Sequence, residues 1–187
     1  MKKLAFIVLL LAGCTSSSIR MPECWEIIGT KGKGSSVPFL QKGKKLWLFT
    51  AKHNLPLSTA NGLKVIDQIS HPTRDVALIS VEGTARIIPI ANKDAVLGDK
   101  LYAAGFQLEA LLITSGYQGS KPGRMSCPIW YGSSGGPVWN NDVELVGIVK
   151  ALWRMQLPRS GDIYSIPHIS IYASVVNLKE WINENIK

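Results

Sequence analysis

Gly132-Ser133-Ser134-Gly135-Gly136-Pro137 closes one run of strand-forming residues and precedes another, Leu145-Val146-Gly147-Ile148-Val149. Glycines on both sides of Ser134 accept backbone angles that other residues resist, so the chain can turn sharply and hold the hydroxyl out. In such a turn the N–H groups of Gly132 and Ser134 converge as an oxyanion hole. Losing one donor of that kind costs about 3–4 kcal/mol of transition-state stabilisation. A serine hydroxyl is a weak nucleophile at neutral pH. It needs an imidazole to take its proton and a carboxylate to orient the imidazole. Ser133 lacks the following Gly-Gly-Pro and is the poorer nucleophile.

Working back along the chain, Leu46-Trp47-Leu48-Phe49-Thr50-Ala51 is an apolar run suited to a buried strand, and His53 stands at its end. Of the three histidines, His71 and His168 adjoin prolines and read as loop or pocket-wall residues. Asp75 opens Asp75-Val76-Ala77-Leu78-Ile79-Ser80-Val81, a second expected strand. A carboxylate at the mouth of an apolar run is partly buried and needs a partner, which an imidazole N–H or the nearby Arg74 can supply. The groups for hydroxyl nucleophile catalysis thus occur in the order His, Asp, Ser.

Together, Thr50-Ala51-Lys52-His53, Asp75-Val76-Ala77-Leu78 and Gly132-Ser133-Ser134-Gly135-Gly136-Pro137 resemble the hallmarks of the trypsin-like, chymotrypsin-fold serine peptidases. Leu145–Val149 resembles the strand after the nucleophile. Ile171–Val175, followed by Glu180-Trp181-Ile182, resembles the family's last strand and C-terminal helix. The likeness covers nearly everything after about residue 25. It implies an all-β fold of two six-stranded antiparallel β-barrels with a C-terminal helix and the active site between the barrels. It also implies His53 as general base and acid, Asp75 as its orienting partner, Ser134 as nucleophile, and Gly132 and Ser134 as oxyanion donors. Gly-x-Ser-x-Gly also occurs in α/β-hydrolases, but that fold requires the order Ser, acid, His and helices between its parallel strands.

The chain departs from the family's pattern in three places. Digestive members carry an aspartate before the nucleophile that pairs with a new N-terminus after zymogen cleavage; here Ser133 stands there, which predicts activity without propeptide removal. The trypsin-type aspartate six positions before the nucleophile is Pro128. Lys150-Ala151-Leu152 replace the family's Ser-Trp-Gly substrate-binding strand. Leu152 narrows the expected pocket, and a small or medium apolar side chain before the cut is the expectation.

Short apolar runs alternating with turns such as Gln41-Lys42-Gly43-Lys44 and Leu97-Gly98-Asp99-Lys100 independently point to an all-β barrel or sandwich. A helical pattern is expected from Ala173 to Ile186, where Val176, Trp181, Ile182 and Ile186 are apolar among polar residues. The expected boundaries are an N-terminal barrel over 24–91 and a C-terminal barrel with its helix over 92–187, one peptidase unit in all.

Lys2-Lys3, the apolar run Leu4–Leu10 and Leu11-Ala12-Gly13-Cys14 read as a secretory signal over 1–13. The apolar run is shorter than the roughly 20 residues that span a bilayer. The Leu-Ala-Gly-Cys ending resembles a bacterial lipoprotein cleavage site, which implies lipid on Cys14, a tether over 14–23 and anchorage in the cell envelope. Thr15 in place of the inner-membrane retention aspartate points to the outer membrane, facing the periplasm. An exported chain permits disulfides. Cys24 and Cys127 either bridge the first strand to the second barrel or stand as separate buried thiols.

The formal net charge is +8, of which Lys2 and Lys3 contribute two. The remaining basic residues are scattered without aromatic interleaving, so nucleic acid is not an expected partner. The cysteines lack ligand spacing and the histidines do not cluster with carboxylates, so neither a metal nor another cofactor is expected. The reading is a monomeric endopeptidase acting on protein or peptide. The alternative is a lipoprotein that keeps the fold as a catalytically inactive binding module.

Overall fold

The computed structural model describes residues 21–107, 110–156 and 163–186. The expected signal segment, Cys14 and most of the tether lie outside these residues. The first sheet runs from β1 (Trp25–Gly29), β2 (Gly32–Lys42) and β3 (Lys45–Thr50) through β4 (Leu57–Ala60), β5 (Leu63–Lys64) and β6 (Asp67–Ser70) to β7 (Ala77–Glu82), with the spatial order β5-β4-β1-β2-β3-β7-β6. The second contains β8 (Lys100–Gln107), β9 (Ala110–Tyr117), β10 (Arg124–Met125), β11 (Pro137–Trp139), β12 (Leu145–Gln156) and β13 (Ile163–Ser174), in the order β10-β13-β12-β11-β8-β9. All strand pairs within both sheets are antiparallel, and each sheet curls on itself. The first sheet has seven strands rather than six because the Asn61-Gly62 turn, with both residues at positive φ, splits one edge into the short β4 and β5.

β3 explains how one apolar run can hold two layers together. Successive side chains of a strand point to opposite faces. Leu46 and Leu48 enter the interior of the first barrel with Trp25, Ile27, Ile79 and Val81. Trp47 and Phe49 enter a second core, shared with Trp139, Leu145 and Ile148 of the other sheet. A third cluster, including Leu101, Met125, Val138, Val146 and Val149, fills the second barrel. The run is continuous rather than alternating because both of its faces are buried.

One expectation is corrected and one open alternative is decided. The C-terminal helix, α1, covers Lys179–Asn185 only. Ala173 and Ser174 instead complete β13, opposite Ile148 and Gly147, and Asn177 at φ 64° turns the chain before the helix. Cys24 and Cys127 are both free and buried. They belong to different cores, Cys24 between the barrels and Cys127 inside the second, so the bridge is not formed. Burial pushes both thiols up to about 12, opposed at Cys24 by a hydrogen bond with Ser35 and at Cys127 by the charge of Lys100.

Candidate active site

β3 ends at Thr50, and the chain passes through the buried Ala51 into a short 3₁₀ turn, Lys52–Asn54, which carries His53. Asp75 lies in the turn before β7 rather than at the head of the strand, which begins at Ala77. That turn folds around His71, whose Nδ1 accepts the N–H groups of Thr73 at 3.2 Å and Arg74 at 3.0 Å. Arg74 does not pair with Asp75. Its guanidinium donates to the carbonyls of Ser174 and Val176 in the second half of the molecule.

Asp75 grips His53 twice. Its Oδ2 lies 2.8 Å from His53 Nδ1, and its Oδ1 accepts the His53 backbone N–H at 3.0 Å. A carboxylate only accepts, so Nδ1 carries the proton and Nε2 is left as a base. Partial burial pushes the Asp75 carboxyl up. The hydrogen bonds from the His53 ring and backbone, with the charges of His53 and Lys150, outweigh burial and hold it below its ordinary value. The carboxylate is 18% exposed and the imidazole 46%, so the base is open to the cleft while its partner is shielded.

Ser134 sits in the turn before β11, half-buried. Gly135, at φ +90°, has no room for a side chain: a Cβ there would lie 2.1 Å from the Ser35 carbonyl oxygen and 2.3 Å from Thr50 Oγ1. Gly132, at φ +93°, is equally constrained, with the Phe106 carbonyl oxygen 2.0 Å from a would-be Cβ. The Ser133 carbonyl accepts the Gly136 N–H at 2.9 Å, which turns the Ser134 N–H of the same peptide to the opposite side. Among the described residues, neither the Gly132 nor the Ser134 N–H donates a hydrogen bond. Two such free donors beside a hydroxyl are what an oxyanion requires. Ser134 Oγ donates to the Lys150 carbonyl at 3.3 Å.

His53, Asp75 and Ser134 line one cleft of about 550 Å³, within the range of small-ligand sites. Its walls include Ile129, Trp130, Tyr131, Ala151, Leu152 and Ile171. Of the four substrate-binding positions expected from sequence, Lys150, Ala151 and Leu152 line the cleft. Pro128 does not; the residues that follow it, Ile129, Trp130 and Tyr131, line the cleft instead. The aromatic pair Trp130–Tyr131, with centroids 5.6 Å apart, and Ile171, opposite Ala151 in the sheet, were not singled out from sequence. Ile171 could have been found from the β12–β13 pairing, but not from any local pattern. Ser133 is fully buried, its hydroxyl accepting the Trp130 N–H at 3.4 Å.

Two curled antiparallel sheets with a cleft at their seam and a short C-terminal helix define the chymotrypsin-like fold. The chain belongs to the trypsin-like peptidase domain family, which matches residues 40–148. Solved structures share the fold. The chain is similar to the Rv3671c protein of M. tuberculosis H37Rv, crystallised as a serine-to-alanine mutant in an inactive form, with TM-score 0.65 and 13% identity over 87% of this chain and 86% of that one. It is also similar to neuropsin, a serine protease expressed in the limbic system of mouse brain, with TM-score 0.64 and 17% identity over 90% of this chain and 96% of the other. None of the curated proteins matches the sequence. The family and fold support a peptidase acting on protein substrates.

Proposed function

We propose that the chain is a serine endopeptidase that works through an acyl-enzyme on Ser134. The observation that carries this reading is the His53–Asp75 pair at 2.8 Å facing the same cleft as Ser134, beside two free N–H groups. Ser134 Oγ attacks the scissile carbonyl carbon while His53 Nε2 takes the hydroxyl proton. The carbonyl oxygen becomes an oxyanion held by the Gly132 and Ser134 N–H groups. As the C–N bond breaks, His53 returns the proton to the leaving amine. Water then attacks the acyl-enzyme by the same route, releasing the acid and restoring the serine. The Asp75 carboxylate stabilises the imidazolium in both halves.

The apolar walls at Ile129, Leu152 and Ile171 favour a small or medium apolar side chain before the cut. The buried Ser133 holds no carboxylate for a new N-terminus, so the enzyme is active without propeptide cleavage. Lipid on Cys14 anchors it to the outer membrane on the periplasmic side. The bond from Ser134 Oγ to the Lys150 carbonyl favours the inactive-module alternative, since the hydroxyl must turn toward His53 before it can attack.

The test is labelling of the full-length chain in detergent with a fluorophosphonate probe, beside Ser134→Ala and His53→Ala. Labelling of wild type that both substitutions abolish is the expected result. A folded wild type that takes no label refutes the peptidase reading and leaves the binding module. The same preparation should incorporate palmitate, and Cys14→Ser should not.

A further inference from the structure

Ser35 in β2 is fully buried, and three of its hydrogen bonds leave its own sheet. Its hydroxyl donates to the Gly132 carbonyl at 2.8 Å, across 97 residues of sequence, and accepts the Phe106 N–H at 2.9 Å. Its backbone N–H donates to the Ser134 carbonyl at 2.8 Å. That carbonyl receives a second bond, at 2.9 Å, from Asn54 Nδ2, on the residue after His53. Asn54 Nδ2 also donates to Thr50 Oγ1 at 3.1 Å, and Thr50 Oγ1 donates to the Ser35 carbonyl at 2.9 Å. The carbonyls of Gly132 and Ser134, on either side of Ser133, are thereby tied to the barrel that carries His53. Gly34 leaves the space that Asn54 fills: a Cβ there would lie 2.9 Å from Asn54 Nδ2.

Peptide planes beside glycine rotate easily, because no Cβ restricts them. The plane joining Gly132 to Ser133 is held by the Ser35 hydroxyl, and it meets at Gly132 Cα the plane that carries the Gly132 N–H. We propose that Ser35 is a positioning residue for the oxyanion turn, its hydroxyl keeping the Gly132 N–H aimed into the cleft, with Thr50 and Asn54 fixing the Ser134 end of the same turn. This rests on the reading of Ser134 as nucleophile. The neighbouring Ser36 is the internal comparison. It is as fully buried, but its hydroxyl donates at 3.4 Å to Trp25, its partner in the adjacent strand of the same sheet.

The experiment measures kcat and KM on a chromogenic peptide substrate, the inhibition constant of a matching peptide aldehyde, and Tm, for full-length wild type, Ser35→Ala and Ser36→Ala. The aldehyde's adduct places an oxyanion in the turn, whereas substrate binding does not. Removing an oxyanion donor lowers kcat about 10²–10³-fold; misaiming one should cost roughly 10–100-fold. Ser35→Ala is expected to lose that factor in kcat and in aldehyde affinity, with KM within about threefold of wild type, and Ser36→Ala is expected to lose neither. If Ser35→Ala does not fold, Ser35→Cys keeps the volume with a weaker donor, and the same loss is expected of it. A folded Ser35 variant with wild-type kcat, or an equal loss in Ser36→Ala, overturns the positioning role while leaving the nucleophile intact. A wild type that neither turns over substrate nor takes a fluorophosphonate refutes the nucleophile reading itself.

Discussion

Replacing Asp75 with Asn changes one atom and should abolish most activity for a reason visible in the bond pattern. The carboxylate accepts from two donors, the His53 backbone N–H at 3.0 Å and Nδ1 at 2.8 Å. An amide has one accepting oxygen and one donating nitrogen. The backbone N–H cannot change its role, so the Asn oxygen must face it, and the amide nitrogen then faces Nδ1. The ring must turn its Nδ1 lone pair to that nitrogen and carry its proton on Nε2, where it can no longer accept from Ser134. The opposite orientation sets two donors against each other at about the same 3.0 Å. Reversing the tautomer in a Ser-His-Asp triad lowers kcat about 10⁴-fold, or about 5 kcal/mol at 1.36 kcal/mol per tenfold. Stability should fall by only about 1 kcal/mol, a few degrees in Tm, because the shape is kept. The assay is kcat/KM on a peptide ester, with Tm measured on the same samples. A folded Asp75→Asn retaining more than a tenth of wild-type kcat/KM would show that Asp75 does not set the tautomer.

Two further outcomes follow from burial and from the cleft walls. The Cys24 and Cys127 thiols are pushed up to about 12 by burial, so the folded state holds these protons more tightly than the unfolded chain. Their contribution to stability is complete below about pH 9, the ordinary thiol value, and is lost as pH rises toward 12. Denaturation midpoints under reducing conditions should therefore fall from about pH 9 upward, and less steeply in Cys24→Ala; an unchanged slope would refute the burial account. Leu152→Gly enlarges the cleft beside Ser134 and should shift peptide-library preference toward larger side chains before the cut by about tenfold, the scale set by a few methylenes of pocket; an unaltered profile would mean that Leu152 does not face the substrate.

The class of fold was legible from short-range pattern, because strand burial imposes a rule on adjacent residues. Leu46 to Phe49 had to be apolar throughout once both faces of β3 were covered. The Gly-rich turn at 132–137 and the order of His53, Asp75 and Ser134 were equally local signals. The helix was read too long because Val176 is apolar for a different reason: it packs inside the second barrel, not on a helical face.

What the residues could not announce is which distant groups meet. The double grip of Asp75 on His53, the Arg74 bonds to the second half of the molecule, and the chain from Ser35 through Thr50 and Asn54 to the turn that carries Ser134 all join segments by side-chain reach across packed surfaces. The separation of Cys24 from Cys127 is the same lesson in reverse: two cysteines in a permissive pattern are sent to different cores by the strands that carry them. Periodicity and turn chemistry act over a few residues and are written in the chain, whereas the seam where the two barrels close, and the choice of donor and acceptor along it, exists only once both are packed.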